Sequence, residues 1–279
     1  MNVPVVLTTR NWSGKLGPIV VPLGRVYAHA VEFDQAIALI ADRIGSGAGG
    51  YVVTPNVDHV CLAERDEGLR GAYRDAWLAL PDGMPLLWIA AAAGTPLPEK
   101  VSGSDLMLPL MRRAARDGLR VALLGSTPEI SARAATRAQE MVPGLQICAR
   151  ECPAYQPGRT SPELQASIAR LRASAPHVIF VALSVPRQEL FMQEYAGELG
   201  PAVLIGIGGS LDFLAGVTSR APAWMQRNGL EWFYRLMMDP RRLAGRYLVR
   251  DWLIAPIAVR TIVRTRTMAW RRRRDQGPR

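Results

Sequence analysis

VIFVALSVPRQELFMQEYAGELGPAVLIGIGGSLDFLAG (178–216) carries the pattern that decides the fold. It opens on an unbroken apolar run, Val178–Leu183, passes through a polar cluster, Ser184–Glu189, and continues as a helical stretch, Arg187–Tyr195. A second apolar run, Ala202–Ile207, then ends in a glycine-rich cluster, Gly206 to Asp212. Apolar runs without alternation are strands buried on both faces, and strands of that kind are joined by helical crossovers into a parallel sheet.

The same unit repeats outward from this stretch. Further strand candidates are Tyr51–Thr54, Trp77–Leu80, Val121–Gly125 and Gln146–Ala149. Between them lie helical patterns at Phe33–Ile44, Gly103–Asp117, Pro128–Met141 and Ser161–Ala173. Thr127-Pro128-Glu129 and Ser161-Pro162-Glu163 read as helix starts, with a capping hydroxyl, proline in the first turn and an acid behind it. The predicted fold class is α/β, a parallel sheet flanked by helices.

Charge divides the chain in two. Its 279 residues carry a formal net charge of +10, but residues 220–279 hold 15 Arg against 4 acids, which leaves residues 1–219 close to neutral. Residues 1–219 therefore read as a catalytic core and 220–279 as a helical, basic C-terminal appendage. The appendage is rich in tryptophan (Trp224, Trp232, Trp252), with Pro222 and Pro240 as helix starts. Leu253–Val263 is apolar with Arg260 set into it, a composition suited to an anionic membrane surface. With 49% hydrophobic residues and 3 Cys, disorder and a disulfide scaffold are excluded. Cys61, Cys148 and Cys152 have no metal spacing, and a reduced cytoplasmic compartment is expected. The longest charge-free run, Gly83–Pro98, is broken by proline and glycine and is too short for a membrane span.

Ligands of open α/β sheets sit beyond the carboxyl ends of the strands, so the residues that follow each strand are the candidates. Asp82 follows a strand and precedes Gly83; it is placed as a general base or as an ordinary Asp-Gly turn. Thr54 and Asn56 can hold a sugar, or Asn56 can cap the next helix. Gln188 is an unusual residue at a helix start, whereas Glu189 there suits the helix dipole alone. Gly206, Gly208 and Gly209 can bring backbone amides to a diphosphate, or make a tight turn. Asp212 can accept from a ribose or base, or serve as a helix-start acid. The glycines fail the dinucleotide fingerprint, because Leu211 stands where the third glycine belongs. His29, His59 and His177 are scattered and are expected to be structural. No DxD triplet occurs, so no metal or other cofactor is expected, and arginine can neutralise a diphosphate instead.

The ordered blocks TPNVDHV (54–60), PDGMPLL (81–87), LPEKVSGSDL (97–106), LLGS (123–126), VALSVPRQE (181–189), GIGGSLDFLAG (206–216) and RAPAWMQRNGLEWFYRLMMDPRRLAGRYL (220–248) resemble the WecG/TagA/CpsF family of bacterial glycosyltransferases. The resemblance runs from about residue 25 to 250, and the segment from about Leu253 to Arg279 reads as lying beyond it. It implies a Rossmann-like core and an inverting, β-linkage-forming transferase. The donor is a UDP-sugar, the acceptor an undecaprenyl-diphosphate-linked saccharide, and the location the inner face of the cytoplasmic membrane. The implied sugar is glucose, N-acetylmannosamine or its uronic acid, for exopolysaccharide or another cell-surface glycan.

Carried over by position, the base falls on Asp82, the sugar-binding residues on Thr54, Asn56 and Gln188, and the nucleotide site on Gly206, Gly208, Gly209 and Asp212. Arg235, Arg242 and Arg246 match arginines that close over the diphosphate, and Lys100 stands where relatives carry arginine. Two alternatives stay open on residues alone: a phosphate-gripping nucleic-acid binder, and a nicotinamide-dependent oxidoreductase. A homo-oligomer is compatible with an appendage that could pack on a neighbouring subunit.

Overall fold

The computed structural model describes residues 8–10, 16–222, 224–225, 229–245 and 250–275. Six parallel strands form the central sheet: β4 (Gly50–Val53), β5 (Leu78–Ala79), β6 (Arg120–Gly125), β7 (Gln146–Glu151), β8 (Val178–Ala182) and β9 (Val203–Gly206), in the order β5-β4-β9-β8-β6-β7. All six coincide with the predicted apolar runs. The reason is visible in the packing: successive residues of β8 point to opposite faces and both faces are covered. Ile179 and Val181 join one apolar layer, Val178 and Phe180 the other.

Helices fill both layers. On one face lie α2 (Val57–Ala63), α3 (Glu67–Asp75), α4 (Met84–Ala92), α7 (Pro162–Ser174) and α8 (Arg187–Tyr195); on the other lie α1 (Phe33–Gly45), α5 (Gly103–Arg116), α6 (Pro128–Met141) and α9 (Ser210–Leu214). The predicted caps form: Thr127 Oγ1 accepts from the Ile130 amide at 3.3 Å and Ser161 Oγ from the Leu164 amide at 3.1 Å. The chain leaves β4 toward the first face and β9 toward the second, although these strands are neighbours. Such a reversal opens a crevice beyond the strand ends, which is where a ligand fits.

An antiparallel sheet that the periodicity did not announce precedes this unit: β1 (Thr8–Arg10), β2 (Leu16–Leu23) and β3 (Val26–Ala30). Its hairpin is tied to the main sheet by His29, whose Nδ1 accepts the Ala79 amide at 2.9 Å. Burial pushes the His29 imidazole down to about 4, so it is neutral and structural. His177 has a similar role, accepting the Arg120 amide at 2.9 Å.

Past residue 219 the chain forms α10 (Glu231–Met238), α11 (Pro240–Gly245), a 3-10 turn at Asp251–Leu253 and a long final helix, α12 (Ile254–Asp275). Arg220 pairs with Asp105, Arg250 with the buried Asp58 at 2.7 Å, and Arg260 with Glu64. Ile257 is buried in the first apolar layer. Thr261 Oγ1 accepts the Gly24 amide at 3.2 Å and donates to the Ile257 carbonyl at 2.7 Å. Trp88, Trp252 and Trp270 remain more than half exposed along this side. Among the described residues no helix is long and apolar enough to cross a membrane.

Candidate active site

The loops after β4 and β5 are stitched together, and this brings the first two candidate residues side by side. The Leu80 amide donates to Val53, the Asp82 amide to Pro55 at 2.8 Å, and the Val101 amide to Pro81 at 2.8 Å. Gly83 then turns the chain into α4 with φ +121°, a conformation that favours glycine. Asp82 is therefore held on a fixed edge while its carboxylate faces a cavity of about 450 Å³. Its walls combine polar side chains, Asn56, Lys100, Glu231, Arg235 and Asp251, with apolar ones, Met84, Pro85, Trp232, Trp252 and Ile254.

Burial pushes the Asp82 carboxyl up to about 6; Lys100 and Arg235 pull it back toward ionisation, while Glu231 and Asp105 add to the rise. Lys100 Nζ lies 3.1 Å from Asp105 Oδ2 and 3.9 Å from Glu231 Oε2. Arg235 pairs with Glu231 and lies over the Phe213 ring at 5.2 Å, so α10 is fastened to the helix that follows the glycine cluster. Burial alone would raise Asp105 as well, but Lys100, Ser102 and Arg220 outweigh it and hold that carboxyl below its ordinary range. Two cations and two carboxylates thus surround one carboxylate that can accept a proton near neutrality.

Behind this wall is a second, buried polar layer. Asn56 caps α2, its Oδ1 accepting the His59 amide at 3.3 Å, while the Asn56 amide donates to His59 Nδ1 at 3.3 Å. It is a cap and a cavity residue at once. Thr54 is buried and its hydroxyl donates to the Gly206 carbonyl at 3.4 Å, joining β4 to β9 across the crevice. Gln188 is buried too: Oε1 accepts the Gly208 amide at 2.7 Å and Nε2 donates to Glu189 Oε1 at 2.8 Å. A side chain at Gly206 would collide with the Gln188 amide, so glycine is required there for close approach.

The structure therefore gathers Asn56, Asp82, Lys100 and Arg235 around the cavity and sets Thr54 and Gln188 just behind it. Gly206, Gly208, Gly209 and Asp212 form the adjoining turn into α9, where the Asp212 backbone carbonyl receives the Val217 amide at 2.9 Å. For Arg242 only the backbone, within α11, is described, and Arg246 lies outside the described residues. Residue-by-residue reading missed Glu231, whose signal was only its place in the GLEWFYR block, and His59, taken as one of three scattered histidines. Glu189 also departs from expectation: it is fully buried, and not the solvent-facing acid that a helix dipole alone would favour.

A proton-accepting carboxylate beside paired cations, at the switch point of a doubly wound sheet, has the chemistry to take a proton from a bound hydroxyl and to hold an anion nearby. Residues 21–268 match the family described as Glycosyl transferase WecG/TagA/CpsF, and the chain belongs to that family of glycosyltransferases. The match extends to residue 268, so most of α12 belongs to the family pattern, contrary to the expectation that the pattern ends near residue 250. A curated relative from Bacillus spizizenii (strain ATCC 23059 / NRRL B-14472 / W23) is 31% identical over 194 residues, 70% of this chain and 73% of the relative. A second, from Bacillus subtilis (strain 168), is 31% identical over the same shares. Both are named N-acetylglucosaminyldiphosphoundecaprenol N-acetyl-beta-D-mannosaminyltransferase. A glycosyltransferase family leaves the nicotinamide-dependent alternative without support.

Proposed function

We propose that this glycosyltransferase inverts configuration, forms a β-linkage, and moves a sugar from a UDP-sugar to an undecaprenyl-diphosphate-linked saccharide at the cytoplasmic membrane. The observation that carries the reading is Asp82, fixed at the crevice in a cavity whose wall also holds Lys100, Arg235, Trp232 and Trp252. The ionised Asp82 carboxylate takes the proton of an acceptor hydroxyl. That oxygen attacks the anomeric carbon from the face opposite UDP, and the bond from the anomeric carbon to the diphosphate oxygen breaks with its electron pair leaving on UDP. The Gly208 amide is held by Gln188, and the charge that grows on the diphosphate is stabilised by Arg235, Lys100 and the Gly209 amide. In this reading they take the place of a chelated divalent ion.

The apolar residues of the cavity wall suit the first units of a polyprenyl chain. The exposed tryptophans and the arginines of α12 suit the surface of an anionic bilayer, with the protein held peripherally. The relatives' names support N-acetylmannosamine as the sugar to try first, with its uronic acid and glucose as the alternatives, and the product on this reading is a cell-surface glycan such as an exopolysaccharide. The test is transfer from UDP-N-acetylmannosamine, its uronic acid and UDP-glucose to a synthetic lipid-linked N-acetylglucosamine, with and without EDTA. One donor should be consumed with β-linked product formed, and EDTA should leave the rate unchanged. No transfer from any of the three would refute the donor class.

A further inference from the structure

Behind the cavity lies a deeply placed carboxylate that has no part in the transfer step. Glu189, in the first turn of α8, is fully buried, and among the described residues its Oε2 has no hydrogen-bond partner. Its Oε1 accepts from Gln188 Nε2 at 2.8 Å and lies 3.6 Å from His59 Nε2. Each of these neighbours has two possible settings. The Gln188 amide can be flipped, and the His59 ring proton can sit on either nitrogen.

A carboxylate has no proton to offer when ionised, so it selects one setting of each. It draws the Gln188 NH₂ group toward itself, and this turns the amide oxygen to the Gly208 amide at 2.7 Å. Its negative charge 3.6 Å from Nε2 favours the His59 ring proton there, and in that tautomer Nδ1 accepts the Asn56 amide at 3.3 Å and the Tyr73 hydroxyl at 3.2 Å. Without that pull, the Thr54 carbonyl, 3.1 Å from Nδ1, would favour the proton on the other nitrogen. Asn56 lies on the loop after β4 and Gly208 on the loop after β9. These are the two loops whose chains diverge at the crevice.

We infer that Glu189 is a positioning residue for sugar transfer: it sets the His59 tautomer and the Gln188 amide together, and so holds the Asn56 and Gly208 loops in register. The inference rests on the reading of the Asp82 cavity as the transfer site. Burial pushes the Glu189 carboxyl up to about 7, against the pull of Gln188 and its own backbone amide and with Asp58 adding to the rise. The groups that face it are Asp58 and His59 from α2, Tyr73 from α3 and Tyr51 from β4; its charge raises both tyrosines, each already raised by burial.

The test pairs Glu189→Gln with Glu189→Asp in the full chain. A glutamine is isosteric but can present its NH₂ group to His59 and Gln188. The chain has 3 His, so ring-nitrogen NMR of histidine-labelled protein resolves His59 from the structural His29 and His177. Above about pH 7, where Glu189 is ionised, the wild type should show a neutral His59 ring with its proton on Nε2. Glu189→Gln should shift or mix that signal, with kcat/KM lower by about 10-fold, as for carboxylates that orient other functional histidines. Glu189→Asp, which keeps the charge, should recover part of both.

An unchanged His59 signal with wild-type kcat/KM in Glu189→Gln overturns the inference, as does a changed signal with full activity. If Glu189→Gln does not fold, the wild-type spectrum decides: a His59 ring proton found on Nδ1 overturns the inference. The Asp82→Asn variant separates the two readings. Near wild-type turnover there would sink the transfer site, while the His59 signal would still decide what Glu189 sets.

Discussion

Replacing Asp82 by asparagine should stabilise the protein while it removes the activity, and the size of the gain follows from the carboxylate's surroundings. An aspartate carboxyl ordinarily titrates near 3.8, and burial lifts this one to about 6. The folded state therefore holds its proton more tightly than the unfolded chain does. As pH rises through this window, the unfolded state gains the more favourable ionisation and stability falls. The loss is complete above about pH 6 and amounts to about 3 kcal/mol, at 1.36 kcal/mol for each unit. The substituted amide would keep the backbone contact with Pro55 and cannot ionise, so up to about 3 kcal/mol should return at pH 8. For a chain of this size that is a rise in melting temperature of roughly 2–4 °C per kcal/mol. The gain should fade as pH is lowered from about 6 to about 4. Sugar transfer should drop by about 100-fold or more. Thermal unfolding of both proteins across this pH range and up to pH 8, beside a transfer assay, reads both quantities. An Asp82→Asn protein that is less stable than wild type at pH 8, or one that turns over normally, would refute the reasoning.

The neighbours of Asp82 should move the acid limb of kcat/KM in opposite directions. Lys100→Met should raise the limb above its position near about pH 6 and Glu231→Gln should lower it; a limb that stays put in both would remove Asp82 as its source. Ile257→Ala should loosen α12 at a cost of about 2–5 kcal/mol to its docking. Hydrogen exchange should then quicken across 254–275 with the central sheet unaffected, and unchanged exchange there would mean that Ile257 is not the anchor. Trp252→Ala with Trp270→Ala should weaken flotation with anionic liposomes while neutral liposomes bind neither protein. Equal flotation of the double variant, or displacement of the liposomes by RNA, would count against a membrane surface for this side.

Most of the central sheet could be read from sequence because its strands are buried on both faces, so apolar residues need no partner in register to stand out. The β2–β3 hairpin could not: Gly17, Pro18 and Pro22 interrupt β2, and proline normally argues against a ladder. Helix α4 was equally silent, since its residues are apolar without a period and one side faces α12. For the site, position after a strand was enough to find Asp82, Asn56 and Gln188. Lys100 was found by likeness alone, because its partner Glu231 lies far along the chain and the pairing exists only once α10 folds over the cavity. Glu189 shows the limit most clearly. Sequence tells that an acid begins a helix, but whether water or a histidine faces it depends on what packs above.

The clasp between the β2–β3 hairpin and α12 sets an order of events during synthesis. Gly24 and Thr261 meet through a hydrogen bond, yet more than two hundred residues separate them. The sheet, the crevice and Asp82 can all be in place while the residues that wall the cavity, Gly229 to Ala255, are still being made. A nascent chain would thus hold Asp82 before Arg235 and the tryptophans reach it, while the hairpin waits beside the open crevice for α12. On the proposed reading, competence for transfer waits until the segment that begins near Gly229 has been made and α12 has docked against the hairpin.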